Sequence, residues 1–290
     1  MTEITILSGK GGTGKTTISA ALATLAENAV FCDNDVDAPD LHLIFKPQIK
    51  EEFTFLGAWL AHIDTKKCSV CGLCASYCRF DAITYNNDNY FINEIKCEGC
   101  RLCERICPEQ AIVTTQSTKN RWFVSSSRFG FLIHAMMAPG EENSGKLVST
   151  IRKKAREIAL ENHNTLIIND GPPGIGCPVI SSITGTNKVL VIIEPSLSAL
   201  HDAKRVASLV KGFEIPLFAV INKYDINNDV TLAIEQFLEE SNIPLLEKLP
   251  YDRVATDAMV VGQSVVEYAP QSSLSKKLQK VWSALNSLPK

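Results

Sequence analysis

The stretch that decides the fold is Gly9-Lys10-Gly11-Gly12-Thr13-Gly14-Lys15-Thr16. It fits the pattern G-x4-G-K-[ST], and it follows a strand-like run and opens a helical pattern, which is the context that this phosphate-binding loop requires. Its glycines let backbone N–H groups turn inward around phosphate oxygens. The motif predicts that Lys15 reaches the β- and γ-phosphates of a nucleotide and that the Thr16 hydroxyl binds Mg²⁺. A glycine-rich turn without a ligand is the alternative, and the complete motif argues against it.

Away from this loop, short apolar runs alternate with helical patterns. The runs are almost continuously apolar, as parallel strands covered on both faces should be. They occupy residues 4–7, 30–32, 166–169, 189–193 and 217–221, with a weaker sixth run at 245–249. Helices are predicted at residues 16–28, 145–162, 200–211, 230–240 and 273–286. This order predicts an α/β fold with a mostly parallel sheet and helices on both faces.

One segment, residues 63–116, interrupts the alternation and is rich in cysteine. Of the ten cysteines in 290 residues, eight lie between Cys68 and Cys107. The spacing Cys68-x2-Cys71-x2-Cys74-x3-Cys78 recurs as Cys97-x2-Cys100-x2-Cys103-x3-Cys107. We therefore predict two domains. One is a discontinuous phosphate-loop domain of residues 1–62 and 117–290, and the other is an inserted module of residues 63–116 with an internal repeat.

The repeated spacing resembles that of bacterial two-cluster ferredoxins, and it predicts a small α+β domain with two [4Fe–4S] clusters. Thiolate is a soft ligand suited to such clusters, and the fourth cysteine of each motif ligates the other cluster. The first cluster is therefore assigned to Cys68, Cys71, Cys74 and Cys107, and the second to Cys97, Cys100, Cys103 and Cys78. Zinc is the alternative, but two triplets with crossing fourth cysteines fit a four-ligand zinc site poorly.

The phosphate loop also carries an extra lysine. The stretch Lys10-Gly11-Gly12-Thr13-Gly14-Lys15-Thr16-Thr17 resembles the deviant Walker A loop, KGGxGKTT, of the MinD/ParA/Mrp ATPases and the nitrogenase iron protein. The resemblance implies that residues 11–17 hold ATP with Mg²⁺, and that Lys10 reaches the phosphates of a partner subunit during hydrolysis. A cation supplied in trans would offset the charge that develops in phosphoryl transfer. The resemblance thus implies a homodimer, or a heterodimer with a paralogue. A solvated loop lysine is the alternative.

The first switch of that family is matched by Asp33-Asn34-Asp35-Val36-Asp37-Ala38-Pro39-Asp40. This match implies that Asp35 positions or activates the attacking water. Asp33 is left open as a structural carboxylate or as one near the metal. Asp37 and Asp40 are left open as solvated acids or helix caps, and for Asp40 we favour one of these two roles.

The second switch is matched by Leu166-Ile167-Ile168-Asn169-Asp170-Gly171-Pro172-Pro173-Gly174, which implies that Asp170 holds Mg²⁺ through water. Cys177 follows, where the nitrogenase iron protein carries one of two cysteines that bridge its dimer. The segment that should carry the other cysteine has Asn143 instead. Cys177 is therefore either a bridging ligand or a half-buried thiol, whereas Cys32 is predicted to lie in the core.

The nucleotide base is assigned to a later strand end. The stretch Ile221-Asn222-Lys223-Tyr224-Asp225 resembles the base-reading motif N-K-x-D. The family resemblance implies that Asn222, with Lys223 beside it, contacts adenine and that Pro250 closes the other side of the ring. Asp225 leaves a preference for ATP over GTP open, because this aspartate reads guanine in GTPases.

The inserted module narrows the resemblance to MinD-superfamily ATPases that carry a ferredoxin domain, and this resemblance covers essentially the whole chain. The segment of residues 138–148 after the insert is also typical of that group. Glu141, Glu142 and Lys146 have no assigned role there, and a switch-coupled or interface role is left open for them. Ser144-Gly145 reads as a helix cap and turn.

The overall composition excludes several classes. The formal net charge is −3, so no basic excess indicates nucleic-acid binding. The apolar runs are too short to span a bilayer, and we expect a cytoplasmic protein. MinD binds membranes through a terminal amphipathic helix, but here the helix at 273–286 is predicted to pack on the sheet.

The function that follows is an ATPase whose dimer switch is coupled to electron transfer or to iron–sulfur cluster delivery. The recipient would be a redox or cluster-accepting protein, such as a small nitrogenase-cofactor-binding-type protein. The alternative is a MinD/ParA-like positioning ATPase whose clusters are structural or redox-sensing.

Overall fold

The computed structural model of the protein describes residues 1–141 and 143–287. Glu142, to which the sequence assigned no role, and residues 288–290, which end the predicted phosphate-loop domain, lie outside the described residues. The chain forms two compact units. The first unit comprises Met1–Phe53, Trp122–Met136 and Ser144–Lys290, and the second comprises Thr54–Arg121 and Met137–Asn143.

The strands of the described residues are numbered in chain order. They are β1 (Thr2–Ser8), β2 (Ala29–Asp33), β3 (Gln48–Phe55), β4 (Trp59–Ile63), β5 (Ile83–Asn86), β6 (Asn89–Ile92), β7 (Ile112–Gln116), β8 (Asn120–Ser127), β9 (Gly130–Met136), β10 (Leu166–Pro173), β11 (Lys188–Ile193), β12 (Leu217–Asn222) and β13 (Leu245–Leu249).

The helices are numbered in the same way. They are α1 (Lys15–Leu25), α2 (Leu41–Phe45), α3 (Leu73–Ser76), α4 (Leu102–Ile106), α5 (Ser144–Glu161), α6 (Cys177–Ile183), α7 (Leu197–Gly212), α8 (Asn228–Glu240), α9 (Val254–Val260), α10 (Val265–Tyr268) and α11 (Ser273–Ser287), with a 3₁₀ turn at Tyr224–Ile226.

The first unit is built on a nine-stranded sheet in the order β13-β12-β11-β1-β10-β2-β9-β8-β3. β1 lies between β10 and β11 and is parallel to both. Parallel pairing continues through β2 to β9 on one side and through β12 to β13 on the other. Only Arg128 and Phe129 separate β8 from β9, and a connection this short joins antiparallel strands. The predicted α/β fold with a mostly parallel sheet is therefore confirmed.

Helices cover both faces of this sheet because successive side chains of each strand point to opposite faces. Leu190 and Ile192 of β11 belong to a core that α1 and α11 cover. Val189, Val191 and Ile193 belong to the opposite core, which α6, α7 and α8 cover.

The last helix contributes Leu274, Leu278, Val281 and Leu285 to the first core, and all four side chains are buried. The prediction that this helix packs on the sheet is confirmed. Among the helices of residues 1–141 and 143–287, none has the length and apolar character needed to cross a bilayer.

The second unit contains the eight clustered cysteines. β4 and β7 pair in antiparallel fashion, and β5 and β6 form a short hairpin. α3 begins at Leu73, inside the first cysteine triplet, and α4 begins at Leu102, at the equivalent place in the second triplet. The internal repeat of the sequence is thus repeated in local structure.

Candidate functional site

A cleft of about 660 Å³ opens at the carboxyl ends of the parallel strands of the first unit. Ligands of open α/β sheets bind at this edge, and the volume lies in the range of small-molecule pockets. Five strand ends contribute to its lining, at Ser8, Asp35, Pro172, Asn222 and Pro250.

The phosphate loop lies in this cleft and depends on glycine. The backbone φ angle is +81° at Gly12 and +88° at Gly14, a region that residues with a Cβ rarely adopt. A Cβ on Gly14 would lie 2.4 Å from the Nδ2 atom of Asn222, because that amide donates to the Thr13 carbonyl at 2.7 Å. The Thr13 hydroxyl is buried and has no hydrogen-bond partner among the described residues, and Thr13 lines the cleft, so this hydroxyl is available to bond a ligand oxygen.

Asp170, in the carboxyl-terminal half of β10, contacts several side chains at the phosphate end of the cleft. Its Oδ1 atom lies 3.1 Å from the Nζ of Lys15, and its Oδ2 accepts a hydrogen bond from the Thr16 hydroxyl at 2.8 Å. Ser19, which the motif does not mark, donates to Oδ1 at 2.8 Å. The structure therefore places side by side the two groups predicted to share Mg²⁺, Thr16 and Asp170.

Lys15 is almost completely buried among carboxylates. Burial by itself lowers the pKa of Lys15, but Asp170, Asp35 and Asp33 together outweigh burial and raise that pKa above its ordinary value. The ammonium charge is therefore secure, as an electrostatic contact to phosphate oxygens requires.

Asp35 lines the cleft with its Oδ2 atom 3.8 Å from the Lys15 Nζ. Burial raises the pKa of Asp35 to about 6, and nearby Asp170 adds to the rise while Lys15 opposes it. A carboxylate whose pKa lies near the working pH is suited to accept a proton from water.

The other acids of this loop have different surroundings. Asp33 is fully buried, and its carboxylate accepts hydrogen bonds from the backbone N–H groups of Asp35 and Leu41, both at 3.2 Å. Burial and the charge of Asp170 raise the pKa of Asp33 well above its ordinary value. Asp33 therefore holds the loop that carries Asp35. Asp37 lines the cleft, and Asp40 stands at the start of α2 without a side-chain capping bond.

At the other end of the cleft, the residues that were predicted to read the base form hydrogen bonds with backbone groups. The Nζ of Lys223 donates to the Gly12 carbonyl at 3.1 Å, as Asn222 does to Thr13. The Asp225 carboxylate accepts the backbone N–H of Tyr251 at 2.7 Å and so fixes the loop after β13, where Pro250 lies. A contact of Asn222 with adenine stays a prediction.

Lys10 is half exposed at the mouth of the loop, and its Nζ lies 3.9 Å from Glu194. Glu194 also lies 3.5 Å from Lys223, so one carboxylate faces both lysines. The sequence analysis missed Glu194, although its position just after β11, on the carboxyl edge of the sheet, could have marked it.

Comparisons with known proteins agree with this geometry. Residues 4–265 match the family model of the CobQ/CobB/MinD/ParA nucleotide-binding domain. The chain belongs to this family. It is a MinD/ParA-type P-loop ATPase.

The relatives of this ATPase span most of its length. It is 37% identical over 230 residues to the protein MJ0578 of Methanocaldococcus jannaschii, and the match covers 78% of this chain and 79% of that one. It is 25% identical over 279 residues to the septum site-determining protein MinD of Helicobacter pylori, with 91% and 83% covered. The MinD structure from Pyrococcus horikoshii with Mg-ADP has the same fold, with a TM-score of 0.61 at 19% identity and 99% and 96% covered.

The cysteines of the ATPase line two small cavities within the second unit. One cavity is lined by Cys68, Cys71, Cys74 and Cys107 among its residues. The other is lined by Cys78, Cys97, Cys100 and Cys103, and Cys74 also lines it. Apart from Cys74, which lines both cavities, the cysteines divide into the two interleaved sets that the spacing predicts, and such groups of thiols have the chemistry that a four-iron cluster requires.

The two cysteine loops also share an unusual backbone. Left-handed residues recur at equivalent positions, with φ angles of 60° and 59° at Val70 and Gly99, 74° and 61° at Gly72 and Arg101, and 50° and 49° at Asp81 and Gln110. Such turns can direct successive N–H groups into one concavity, as at many iron–sulfur sites.

No group of three or more His, Cys, Asp or Glu side chains in residues 1–141 and 143–287 is arranged to hold one metal ion. Burial raises the pKa of Cys103 to about 11 and raises that of Cys74, so both are thiols until a metal displaces the proton. The presence of clusters stays a prediction.

The two remaining cysteines differ in exposure. Cys32 is fully buried and donates to Asn34 Oδ1 at 3.1 Å, so its predicted core position is confirmed. Cys177 is exposed at the start of α6, so the prediction of a half-buried thiol is wrong, and its backbone lies against Gly145 at the start of α5. A bridging role for Cys177 stays a prediction.

Proposed function

We propose that this ATPase works as a nucleotide-driven switch of the MinD/ParA kind. ATP binding would pair the chain with a second copy, or with a paralogue, and would change its association with a partner. The second unit would carry two [4Fe–4S] clusters in a structural or redox-sensing role. The observation that carries this proposal is Lys10, which is exposed beside a phosphate loop that already has its own buried lysine, Lys15.

The chain's own residues suit this chemistry. Lys15 would neutralise the β- and γ-phosphates, while Thr16 and Asp170 would hold Mg²⁺ between them. The ion held there would supply positive charge that offsets the charge of the phosphate oxygens. Asp35 would orient the attacking water, and Lys10 of the second copy would reach the phosphates after leaving Glu194.

The cluster assignment rests on the two cavities of the second unit, each lined by one interleaved set of four cysteines. The similarity to MinD over most of the chain favours a switch over an electron carrier as the main role. Electron transfer or cluster delivery to a redox partner is the second candidate. Exposed Cys71 and Cys100 favour it, because they would bring one corner of each cluster to the surface.

The switch is tested by replacing Lys10 with alanine. We expect Lys10→Ala to lose both ATP hydrolysis and ATP-dependent dimerisation, which light scattering measures. A matched Lys50→Ala change on exposed β3 should leave both intact. Dimerisation and hydrolysis equal to the wild type in Lys10→Ala would refute the role in trans.

The role of the clusters is tested by reduced-state EPR of anaerobically purified protein with and without Mg-ATP. The cysteine pattern requires about eight iron atoms per chain, and protein with zinc and no iron would refute the clusters. A cluster signal that changes with Mg-ATP, together with reduction of an acceptor that depends on hydrolysis, would favour the second candidate. ATP-dependent association with a partner or surface and no acceptor reduction would favour the switch.

A further inference from the structure

Arg128 lies in the two-residue turn between β8 and β9, and its guanidinium contacts three other segments of the first unit. Its Nε and Nη2 atoms pair with the two carboxylate oxygens of Glu267, at 2.6 and 2.8 Å. Its Nη1 donates to the carbonyls of Ile44 and Phe45, at 2.7 and 3.2 Å. Its Nη2 also donates to the Gly262 carbonyl at 3.3 Å. These contacts engage all the donor groups that a guanidinium has.

The end of α2 depends on this guanidinium. Ile44 and Phe45 are the last two residues of α2, and carbonyl groups in the last turn of a helix have no partner within that helix. Arg128 also lies 4.3 Å over the ring of Phe129, and that ring packs edge-on against Phe45 at 4.7 Å. Aromatic packing therefore aims the guanidinium at the carbonyls that need a donor.

A second cation joins the same helix end to the turn between α9 and α10. The Nζ of Lys46 donates to the Val261 carbonyl at 2.8 Å. Gly262 has a φ of +67°, and an added Cβ there would lie 2.3 Å from the Lys46 Cε and 3.2 Å from the Leu43 carbonyl oxygen. Arg128 and Lys46 thus hold the end of α2 directly on this turn.

The turn between α9 and α10 belongs to the wall of the nucleotide cleft. Met259 before it and Val265 after it both line the cleft. The Thr17 hydroxyl, which follows the phosphate loop, donates to the Met259 sulfur at 3.3 Å. The Ser264 hydroxyl lies 2.6 Å from that of Thr24 on α1. The turn is therefore tied to the helix that the phosphate loop opens.

The other end of α2 is joined to the first switch. The backbone N–H of Leu41, the first residue of α2, donates to the Asp33 carboxylate, which also accepts the N–H of Asp35. The loop that carries Asp35 therefore runs between the end of β2 and a helix that Arg128 holds in place. Precise placement matters here, because a displacement of about 1 Å at a positioned group can cost about 100-fold in rate.

We infer that Arg128 is a positioning residue for ATP hydrolysis, because it holds α2 on the cleft wall and thereby fixes the loop of Asp35 relative to the nucleotide. This inference rests on the role proposed for Asp35 and adds the residue that secures the far end of its loop. Arg128 acts through α2, so its removal should affect the chemical step more than nucleotide binding.

The test is steady-state ATP hydrolysis and fluorescent-nucleotide titration of the full chain. In Arg128→Gln we expect kcat to fall by about 10-fold or more. Affinity should be unchanged, because Thr17 and Ser264 still tie the cleft wall to α1. Arg128→Lys restores the charge without the planar fork and should recover part of the lost kcat. Lys277→Gln is the matched control, since it removes a partly exposed cation that pairs with Glu247 at 2.8 Å, and it should keep the wild-type kcat.

Hydrogen–deuterium exchange separates this role from a general loss of stability. Arg128→Gln should raise exchange in residues 34–46 and leave the central strands β1 and β11 unchanged. An equal rise throughout the first unit would overturn the inference, because the loss of kcat would then follow from unfolding.

The kinetic outcomes are also distinct. Wild-type kcat in Arg128→Gln, while Asp35→Asn is inactive, would overturn the inference alone. Wild-type hydrolysis in Asp35→Asn would overturn the role proposed for Asp35 and the inference with it. Loss of affinity without loss of kcat, or loss of ATP-dependent dimerisation in Arg128→Gln, would also overturn the inference, because Arg128 would then act on binding or at the subunit interface.

Discussion

At the scale of single residues, one buried carboxylate organises the phosphate end of the cleft. Asp170 accepts hydrogen bonds from Thr16 and Ser19 and pairs with Lys15. Asp33 and Asp35 lie close enough to influence the pKa of Lys15 together with Asp170. This cluster of like charges around one lysine is poised to accept a divalent cation.

Replacing Asp170 with asparagine keeps the shape of the side chain and removes its charge. We expect Mg²⁺-dependent ATP hydrolysis to fall by about 100-fold or more. The reason is that the Mg²⁺ site and the charge that develops in the transition state would lose a fixed electrostatic partner. Steady-state phosphate release measures this, with Asp229→Asn at an exposed position in the first turn of α8 as the control. An equal loss in both variants would contradict the assignment.

A second residue-scale effect concerns the buried His134 of β9. Its Nε2 lies 2.9 Å from the Ser125 hydroxyl, and its ring stacks on Phe123 at 5.0 Å. Burial, with a smaller contribution from His42, lowers the pKa of His134 to about 4. Because the unfolded chain binds this proton near pH 6.5, protonation favours unfolding below that pH.

We therefore expect a specific loss of stability in acid. The free energy of unfolding should fall as the pH drops from about 6.5 to about 4, by about 3 kcal/mol in total from this residue. Urea titrations across this range should show a flatter pH profile for His134→Gln than for the wild type. His201→Gln, at an exposed position on α7, should keep the wild-type slope, and equal slopes in all three proteins would rule out the effect.

At the scale of elements, the phosphate loop requires a positive φ at Gly14 as well as free space beside Asn222. Gly14→Ala should therefore distort the loop without unfolding the sheet, and we expect ATP affinity to fall by at least 10-fold, equivalent to about 1.4 kcal/mol. Gly212→Ala is the matched control, because nothing lies within 4 Å of the added Cβ at the end of α7. Fluorescent-nucleotide titration separates the two, and wild-type affinity in Gly14→Ala would contradict the model of the loop.

Most strands of the nine-stranded sheet were predictable from the sequence. The six predicted strands all exist, and the one at Leu245–Leu249 has its predicted bounds, because continuous apolar runs are typical of parallel strands buried on both faces. β3 was missed because it is an edge strand, rich in Lys and Glu and mostly exposed. β8 and β9 were missed because buried polar residues such as Ser125 and His134 interrupt their apolar pattern.

The site was predictable to a similar degree. Lys15, Thr16 and Asp170 converge as the motifs indicate, because each motif fixes a strand end and a loop in one piece of chain. Ser19 and Glu194 were not predictable from motifs, since their contacts join segments distant in sequence. The side chain of Asn222 holds the loop at Thr13, a contact that no sequence motif marks.

At the scale of the whole molecule, the cysteine spacing crosses between the two cavities, and this crossing is testable. Cys78 lies among the second set of cysteines although it follows the first triplet. Cys78→Ser should remove one cluster, so iron should fall from about eight to about four atoms per chain. Cys177→Ser, at an exposed position outside the second unit, should leave iron unchanged.

A reciprocal variant tests the other half of the crossed assignment. Cys107→Ser should remove the other cluster, so the EPR signals lost in the two variants should differ. Identical signal loss in both variants, or unchanged iron in Cys78→Ser, would contradict the crossed assignment.

The position of the insert in the sheet has a consequence for how such a chain could arise. β3 and β8 are neighbours at one edge of the nine-stranded sheet, and the larger segment of the second unit, Thr54–Arg121, connects them along the chain. A short hairpin turn would be enough to join β3 to β8, and lengthening this connection adds little to the entropy cost of closing the loop. A gene fusion at this turn could add or remove a cofactor-carrying cassette without altering any strand neighbour in the ATPase.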